Sequence, residues 1–212
     1  PMTNPKATPL FSLCIGRQLG AGGRTIAQRL AAHYGAAYYD KQLLKAAAVE
    51  SGFSAKLFEQ HDEKRSFFSQ VIHAFKPLEF ATNFYSSGVD SASLFQLQSA
   101  AIEKAAAKES CVFVGRAADY VLRNDAAMIS VFITADTADR IARVMALEGC
   151  DETVARHTIE KADQCRADFY NFFTNKEWGA ASSYDLCLNS SKLGVDGSYE
   201  IIKAFIDRKL EL

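Results

Sequence analysis

Apolar and polar positions along the chain form five short apolar runs, separated by segments in which apolar residues recur with helical spacing. The runs cover residues 10–15, 37–39, 111–114, 128–133 and 185–188. Continuous apolar runs of this length are typical of strands buried on both faces. Strands that alternate with helices predict βαβ units, and therefore a parallel sheet with helices on both sides.

Three of the intervening segments carry apolar residues three and four positions apart, as one face of a helix requires. The residues that mark them are Ile26, Leu30 and Tyr34; Leu94, Leu97, Ala101, Ile102 and Ala105; and Ile141, Val144 and Met145. Gly35 is expected to end the first helix, and Asp136 is expected to be the N-cap of the third.

Two stretches interrupt this alternation. Residues 52–93 are rich in aromatic residues and mostly helical in pattern, which predicts a helical insertion between the second and third strands. Residues 150–178 contain a dense mixture of charged and aromatic residues between the fourth and fifth strands. No linker separates these parts, so we predict a single α/β domain over 1–212 with a flexible, proline-rich tail at 1–9.

A glycine-rich turn joins the first predicted strand to the first helix. Gly20, Gly22 and Gly23 can adopt positive φ and turn their N–H groups inward, and the helix that follows adds the positive end of its dipole. Such a turn suits a phosphate group. It resembles the phosphate-binding loop, G-x-x-x-x-G-K-S/T, but contains no lysine. A glycine turn that only connects a strand to a helix explains the motif alone equally well.

The position of the missing lysine has two interpretations. Gly23-Arg24-Thr25 can stand for the last three motif positions, with Arg24 in place of lysine. Alternatively Gly20 and Gly22 align with the motif glycines, and Arg17 supplies the charge. Thr25 is the candidate Mg²⁺ ligand. The candidate phosphate cradle consists of Gly20, Ala21, Gly22, Gly23, Arg24 and Thr25.

Two further candidates follow predicted strands at their carboxyl ends, where parallel sheets bind ligands. Asp40 can accept a substrate hydroxyl, or it can simply cap a helix. Arg116 can hold a phosphate through its two-pronged guanidinium group, or it can be a surface ion-pair partner.

The charged segment at 156–170 contains Lys161, Asp163 and Arg166. Pairs of opposite charge three and four residues apart are also typical of an ordinary solvated helix. Such pairing explains much of this segment without any ligand.

Composition mainly excludes classes of partner and of location. A formal net charge of −1 gives no reason to expect nucleic acid or an anionic membrane as a partner. No run is long enough to span a membrane. Five cysteines without a C-x-x-C pair favour reduced thiols, so we expect a cytoplasmic protein. Exposed aromatic residues at 67–85 leave a homodimer possible.

Three ordered motifs together resemble the cytidylate kinase-like family, a divergent branch of the P-loop nucleoside monophosphate kinases. They are residues 15–24 (IGRQLGAGGR), residues 38–41 (YYDK) and residues 114–119 (VGRAAD). The resemblance implies a three-layer α/β P-loop kinase fold with a five-stranded parallel sheet, a helical insertion over the acceptor site, and a lid at 150–178.

The resemblance also implies an activity, namely ATP- and Mg²⁺-dependent phosphoryl transfer to a nucleoside monophosphate such as CMP. In these terms Arg17, Arg24 and Arg166 are the catalytic candidates. The candidates for substrate binding are Asp40, Arg116, Asp119 and Lys161. The family's Gly-Arg-Asp motif is altered here, because Ala117 follows Arg116 and the aspartate comes at Asp119. There are two alternatives: a kinase for another small molecule, and a nucleotide-binding regulatory protein with little turnover.

Overall fold

A computed structural model of the chain describes residues 9–40 and 91–211. Residues 52–90 of the predicted insertion lie outside the described residues. Residues 1–8 of the predicted tail also lie outside them. No helix of the described part is long and apolar enough to cross a membrane.

The described residues form alternating strands and helices, in the order that the apolar pattern predicts. The elements are β1 (Ser12–Arg17), α1 (Gly23–Tyr34), β2 (Ala37–Tyr39), α2 (Ser91–Ala106), β3 (Cys111–Val114), α3 (Ala118–Val121), β4 (Met128–Thr134), α4 (Thr137–Glu148), α5 (Glu152–Thr174), β5 (Leu186–Asn189) and α6 (Ser190–Leu210). A short 3₁₀ helix, Ala181–Ser183, precedes β5.

The strands form one parallel sheet in the order β2-β3-β1-β4-β5. The central strand, β1, pairs with β3 on one side and with β4 on the other. It continues beyond the predicted residue 15, because Gly16 and Arg17 pair with Phe132 and Ile133 of β4. Arg17 therefore ends the central strand, at the edge where the loops after β1, β3 and β4 meet.

Both faces of the sheet are buried, which explains why the strands are continuously apolar. Leu13 and Ile15 face a core shared with α1 and α6, where Ile26, Leu30 and Ile202 pack. Alternate residues face the second core, which α2 and α3 complete; it contains Cys14, Ile102, Phe113 and Leu122. The predicted three-layer α/β architecture with a five-stranded parallel sheet is confirmed.

The predicted helix ends are correct at α1 and only partly correct at α4. Gly35 ends α1 in the left-handed conformation, with φ 61°. Asp136 occupies the N-cap position of α4, but its side chain makes no capping hydrogen bond. Its carboxylate instead accepts hydrogen bonds from Asn189 and Lys192, which connect it to the start of α6.

The charged and aromatic segment at 150–178 is mainly one helix, α5, of 23 residues. Asp151 caps its first turn by accepting a hydrogen bond from the Val154 amide. Ala155 and Ile159 of α5 pack on Ile141 and Val144 of α4. Near its other end the ring of Phe173 stacks on that of Phe95 in α2, with ring centroids 4.2 Å apart.

Substitution of two neighbouring isoleucines of α6 tests how this helix packs on the core that it shares with α1. Ile202 is fully buried, whereas Ile201 is 47% exposed. We expect Ile202→Ala to lower the free energy of unfolding by about 2–5 kcal/mol, because it leaves a cavity among close-packed residues. The control, Ile201→Ala, is expected to change it by about 0.5 kcal/mol or less. Chemical denaturation measures both, and equal losses would contradict the packing described for α6.

Candidate functional site

The glycine-rich loop connects β1 to α1 at the carboxyl edge of the sheet. Gly20 and Gly22 both have positive φ, of 80° and 78°. A Cβ atom on Gly20 would lie 2.6 Å from the carbonyl oxygen of Arg140, and one on Gly22 would lie 3.0 Å from a methyl group of Val195. Only glycine therefore combines this backbone conformation with such close packing.

Backbone N–H groups of this loop are left without acceptors in the described part of the chain. They belong to Gly20, Gly22, Gly23, Arg24 and Thr25. Ala21 differs from these, because its N–H donates to the Gln18 carbonyl at 3.3 Å. The unpaired groups lie at or just before the N-terminus of a 12-residue helix, where the helix dipole also favours negative charge. The loop is therefore chemically suited to bind a phosphate.

Carbonyl oxygens of the same loop accept hydrogen bonds from side chains of α4 and α6. Arg140 Nε donates to the Leu19 carbonyl at 2.8 Å, and Arg143 Nη1 donates to the Gly20 carbonyl at 2.9 Å. The Ser190 hydroxyl donates to the Ala21 carbonyl at 2.8 Å. Three consecutive carbonyls are thus fixed by donors, and this leaves the amide side of the loop for a ligand. The sequence offered only the three-residue spacing of the two arginines on α4 as a sign of this support.

The Arg17 side chain passes beside the glycine-rich loop. It lies on the α1 side of the sheet, the side that Leu13 and Ile15 share, because side chains alternate along a strand. A Cβ on Gly23 would lie 2.7 Å from the Arg17 Cβ, and one on Gly115 would lie 2.8 Å from the Arg17 Nη1. The side chain therefore extends from the end of β1 to the loop after β3. It makes no hydrogen bond or ion pair with any described residue.

Three arginines influence one another here, and we call Arg17, Arg116 and Arg166 the arginine cluster. Burial, and then the charges of Arg166 and Arg116, lower the pKa of Arg17 to about 9. Burial and the charge of Arg166 lower the pKa of Arg116 to about 10. Burial also lowers the pKa of Arg166, although Asp163 partly offsets this. Like charges that share a half-buried site favour the binding of an anion.

The Arg116 side chain starts from a strained backbone. Gly115, Arg116 and Ala117 all have φ in the left-handed region, at 78°, 63° and 52°. This conformation is unfavourable for residues other than glycine. The guanidinium carbon of Arg116 lies 5.0 Å from the centre of the Phe169 ring of α5, so the charge packs on an aromatic face.

Arg24, the other candidate for the missing lysine, lies in a different environment. Its side chain is 68% exposed, and its Nη2 lies 3.1 Å from the Asp40 Oδ2 at the end of β2. The two candidates are therefore separated by the fold: Arg17 belongs to the arginine cluster, and Arg24 pairs with Asp40 at the edge of the sheet.

Two further predicted residues, Asp119 and Lys161, lie outside the arginine cluster. Asp119 is only 7% exposed, and its Oδ2 accepts a hydrogen bond from the Tyr170 hydroxyl at 2.7 Å. Burial raises the pKa of this carboxyl. Lys161 is exposed on α5 and makes no hydrogen bond or ion pair with the residues described. The structure thus brings Arg116 and Arg166 together with Arg17, but not Lys161.

A magnesium ion would find few protein ligands here. No group of three or more histidine, cysteine, aspartate or glutamate side chains suited to a metal occurs among the described residues. Thr25, on the first turn of α1, is exposed and presents a hydroxyl oxygen. Mg²⁺ often keeps several waters and binds substrate phosphates together with one or two protein oxygens. Thr25 therefore fits a magnesium ion that is bound together with phosphates.

The fold and this loop define the class of P-loop kinase-like proteins. A family model described as the cytidylate kinase-like family matches residues 12–192, and the chain belongs to that family. The family and the fold support phosphoryl transfer to a small molecule.

One named relative and two solved structures are similar to this chain. A protein of Methanopyrus kandleri named cytidylate kinase is 27% identical over 208 residues, which cover 94% of each chain. The crystal structure of an uncharacterized protein from Eubacterium ventriosum is similar with a TM-score of 0.69 at 30% identity, and covers 93% of this chain and 98% of that one. A gluconokinase from Sinorhizobium meliloti, with a TM-score of 0.53 at 10% identity over 95% and 94% of the chains, shares the fold.

Gly20 provides a test of the loop geometry, and Gly35 provides a control with the same backbone conformation. A Cβ on Gly35 would meet no atom within 4 Å, so Gly35→Ala introduces backbone strain alone, at about 1–2 kcal/mol. Gly20→Ala adds a clash with the α4 backbone. We expect it to lower the free energy of unfolding by more than Gly35→Ala does, and to weaken binding of inorganic pyrophosphate at least about tenfold. Denaturation and calorimetry measure these effects; equal behaviour of the variants would contradict the described contact.

Proposed function

We propose that the protein is an ATP-dependent kinase whose acceptor is a nucleoside monophosphate, with CMP as the first candidate. The observation that carries this proposal is the combination of unpaired loop amides with the arginine cluster at the same edge of the sheet. CMP is proposed because similar proteins, such as the one from Methanopyrus kandleri, are named cytidylate kinases. Membership of the cytidylate kinase-like family supports the same choice.

The donor phosphates would bind to the amides of Gly20, Gly22, Gly23, Arg24 and Thr25. Arg17 would replace the missing lysine, because its guanidinium lies between the loop and Gly115 without an ion-pair partner among the described residues. Bound Mg²⁺, held in part by the Thr25 hydroxyl, would neutralise phosphate charge. These groups are positioned before reaction, which is how electrostatic stabilisation is most effective.

The transferred phosphoryl group would lie near Arg116 and Arg166. Phosphoryl transfer spreads negative charge over the equatorial oxygens, and planar guanidinium groups match that charge in shape and sign. No covalent intermediate with the protein is needed, because the chemistry depends on alignment and charge. We therefore propose Arg17 and Arg166 as catalytic residues and Arg116 as a ligand of the acceptor phosphate.

Acceptor recognition would involve Asp40, at the end of β2, and Arg24, on the first turn of α1. Their ion pair, at 3.1 Å, presents a carboxylate and a guanidinium together. Asp119 is better explained as an internal contact, because its carboxylate is buried against the Tyr170 hydroxyl. Lys161 stays a prediction, because its exposed side chain has no described partner that would indicate a role.

A second candidate function is a kinase for a different small molecule. Ala117 stands where the Gly-Arg-Asp motif has its aspartate, and the nearby Asp119 is directed to Tyr170. The acceptor side of this chain therefore differs from the motif that recognises a nucleotide, whereas the donor side keeps the glycine-rich loop and lacks only its lysine. A regulatory nucleotide-binding protein with little turnover is less well supported, because Arg17 offers the charge that the loop lacks.

Arg17→Ala and Arg24→Ala distinguish the two candidates for the missing lysine. We expect Arg17→Ala to raise the Kd for ATP with Mg²⁺ at least about tenfold, since it removes a charged contact to phosphate. Arg24→Ala should change this Kd by less than about threefold, because its guanidinium faces Asp40. Isothermal titration calorimetry measures both affinities, and circular dichroism checks that the variants are folded. If neither change weakens ATP binding, the proposed replacement of lysine is wrong.

A screen of acceptors tests the reaction itself. We expect thermal unfolding to shift upward with ATP and Mg²⁺, and further with one nucleoside monophosphate, because ligands that bind the native state stabilise it. The same pair should release ADP in a coupled assay. ADP release with a different small molecule, such as a sugar acid, would favour the second candidate. Binding without turnover would favour a regulatory protein, and no response to any nucleotide would overturn all three.

A further inference from the structure

Arg166 lies on the face of α5 that packs against the rest of the protein. The buried residues of this helix are Ala155, Ile159, Tyr170 and Thr174. Asp163 and Arg166 continue the same spacing of three and four residues between Ile159 and Tyr170, so they occupy the same stripe. A charged side chain in such a stripe is uncommon unless its partners fix it there.

The first partner, Asp163, connects three parts of the site through one carboxylate. Its Oδ1 accepts hydrogen bonds from the Leu19 amide at 2.9 Å and from Arg166 Nη1 at 3.0 Å. Its Oδ2 accepts a hydrogen bond from Arg140, the residue that also holds the Leu19 carbonyl. The glycine-rich loop, α4 and α5 are therefore joined directly, one helical turn before Arg166.

A second contact holds α5 in place one turn after Arg166. The Tyr170 hydroxyl donates to the Asp119 carboxylate at 2.7 Å, and both groups are buried. Asp119 belongs to the short helix α3, which starts two residues after Arg116. Tyr170 therefore attaches α5 to the segment that presents another member of the arginine cluster.

From this arrangement we propose that Asp163 and Tyr170 are positioning residues, which hold Arg166 beside Arg17 and Arg116 before any nucleotide binds. On this view α5 does not act as a flap that delivers Arg166 on closure, in contrast to the lid predicted at 150–178. The role of the held guanidinium as a ligand of the transferred phosphoryl group rests on the proposed function.

Fixed placement has a physical advantage for a cluster of like charges. The Asp163 carboxylate reduces the electrostatic repulsion on Arg166. Its hydrogen bond with the Leu19 amide also fixes the glycine-rich loop relative to the Arg166 guanidinium. A charge held in place in advance needs no reorganisation when negative charge develops on a phosphoryl group.

Three variants of the full chain test this proposal. Asp163→Asn removes the charge with little change in size, and Tyr170→Phe removes one hydroxyl. The matched control is Asp168→Asn, on the same helix, where the exposed carboxylate accepts a hydrogen bond only from Gln164 among the described contacts. Amide hydrogen exchange of α5 is measured with and without ATP and Mg²⁺, because exchange reports local opening of a helix.

In the free wild-type protein we expect amides of 160–172 to exchange slowly, and to change by less than about twofold on adding ATP. Both Asp163→Asn and Tyr170→Phe should accelerate this exchange by about tenfold, which corresponds to the loss of one hydrogen bond to a charged group. Asp168→Asn should behave as the wild type does. Rapid exchange in the free protein that slows only with ATP would show a closing lid and overturn the proposal, as would unchanged exchange in Asp163→Asn.

A kinetic measurement separates positioning from general stability. In the proposed reaction, Asp163→Asn should lower kcat per folded molecule about tenfold and change KM for ATP less than about threefold, because Arg166 acts mainly on the transition state. A kcat equal to that of the wild type would overturn the positioning role. If ATP protects none of residues 18–25 from exchange, the proposed function fails, and the exchange of α5 in the free protein still decides how Arg166 is held.

Discussion

The burial of three guanidinium groups at one edge of the sheet is the constraint on which the site depends. Arg17, Arg116 and Arg166 meet at the carboxyl edge of the sheet, where burial and their shared charge lower the pKa of Arg17 to about 9. In the described part of the chain, Asp163 is the carboxylate that forms an ion pair with this cluster. Burying like charges together is costly, and a bound anion would reduce that cost.

The backbone accommodates this cluster by omitting side chains at two positions. Gly23 and Gly115 leave the space through which the Arg17 side chain extends, since a Cβ on either would overlap it. Gly115 also has positive φ, as Gly20 and Gly22 of the loop do, whereas Gly23 does not. Gly23 and Gly115 therefore allow an arginine to extend from the central strand, past the glycine-rich loop, to the loop after β3.

Much of the fold could be predicted from the sequence, and particular residues show why the rest could not. The strands and the end of α1 at Gly35 follow from local patterns, because apolar runs and left-handed caps depend on neighbouring residues. The contacts of Asp163 with Leu19 and Arg140 join positions 144 and 23 residues apart. No local pattern encodes such pairs. Asp136 has the sequence of an N-cap, yet Asn189 and Lys192 compete for its carboxylate after the chain folds.

By itself the sequence determined the order of strands and helices, the family and the presence of a lysine-free glycine loop, since each depends on residue types at fixed spacing. It left open which arginine replaces the lysine. The tertiary structure places the two candidates in different surroundings: β1 pairs with β4 as far as Arg17, and the Arg17 side chain passes Gly23 and Gly115. Arg24, on the first turn of α1, projects into solvent beside Asp40. The direction of a side chain depends on strand register and helix packing, which spacing along the chain does not specify.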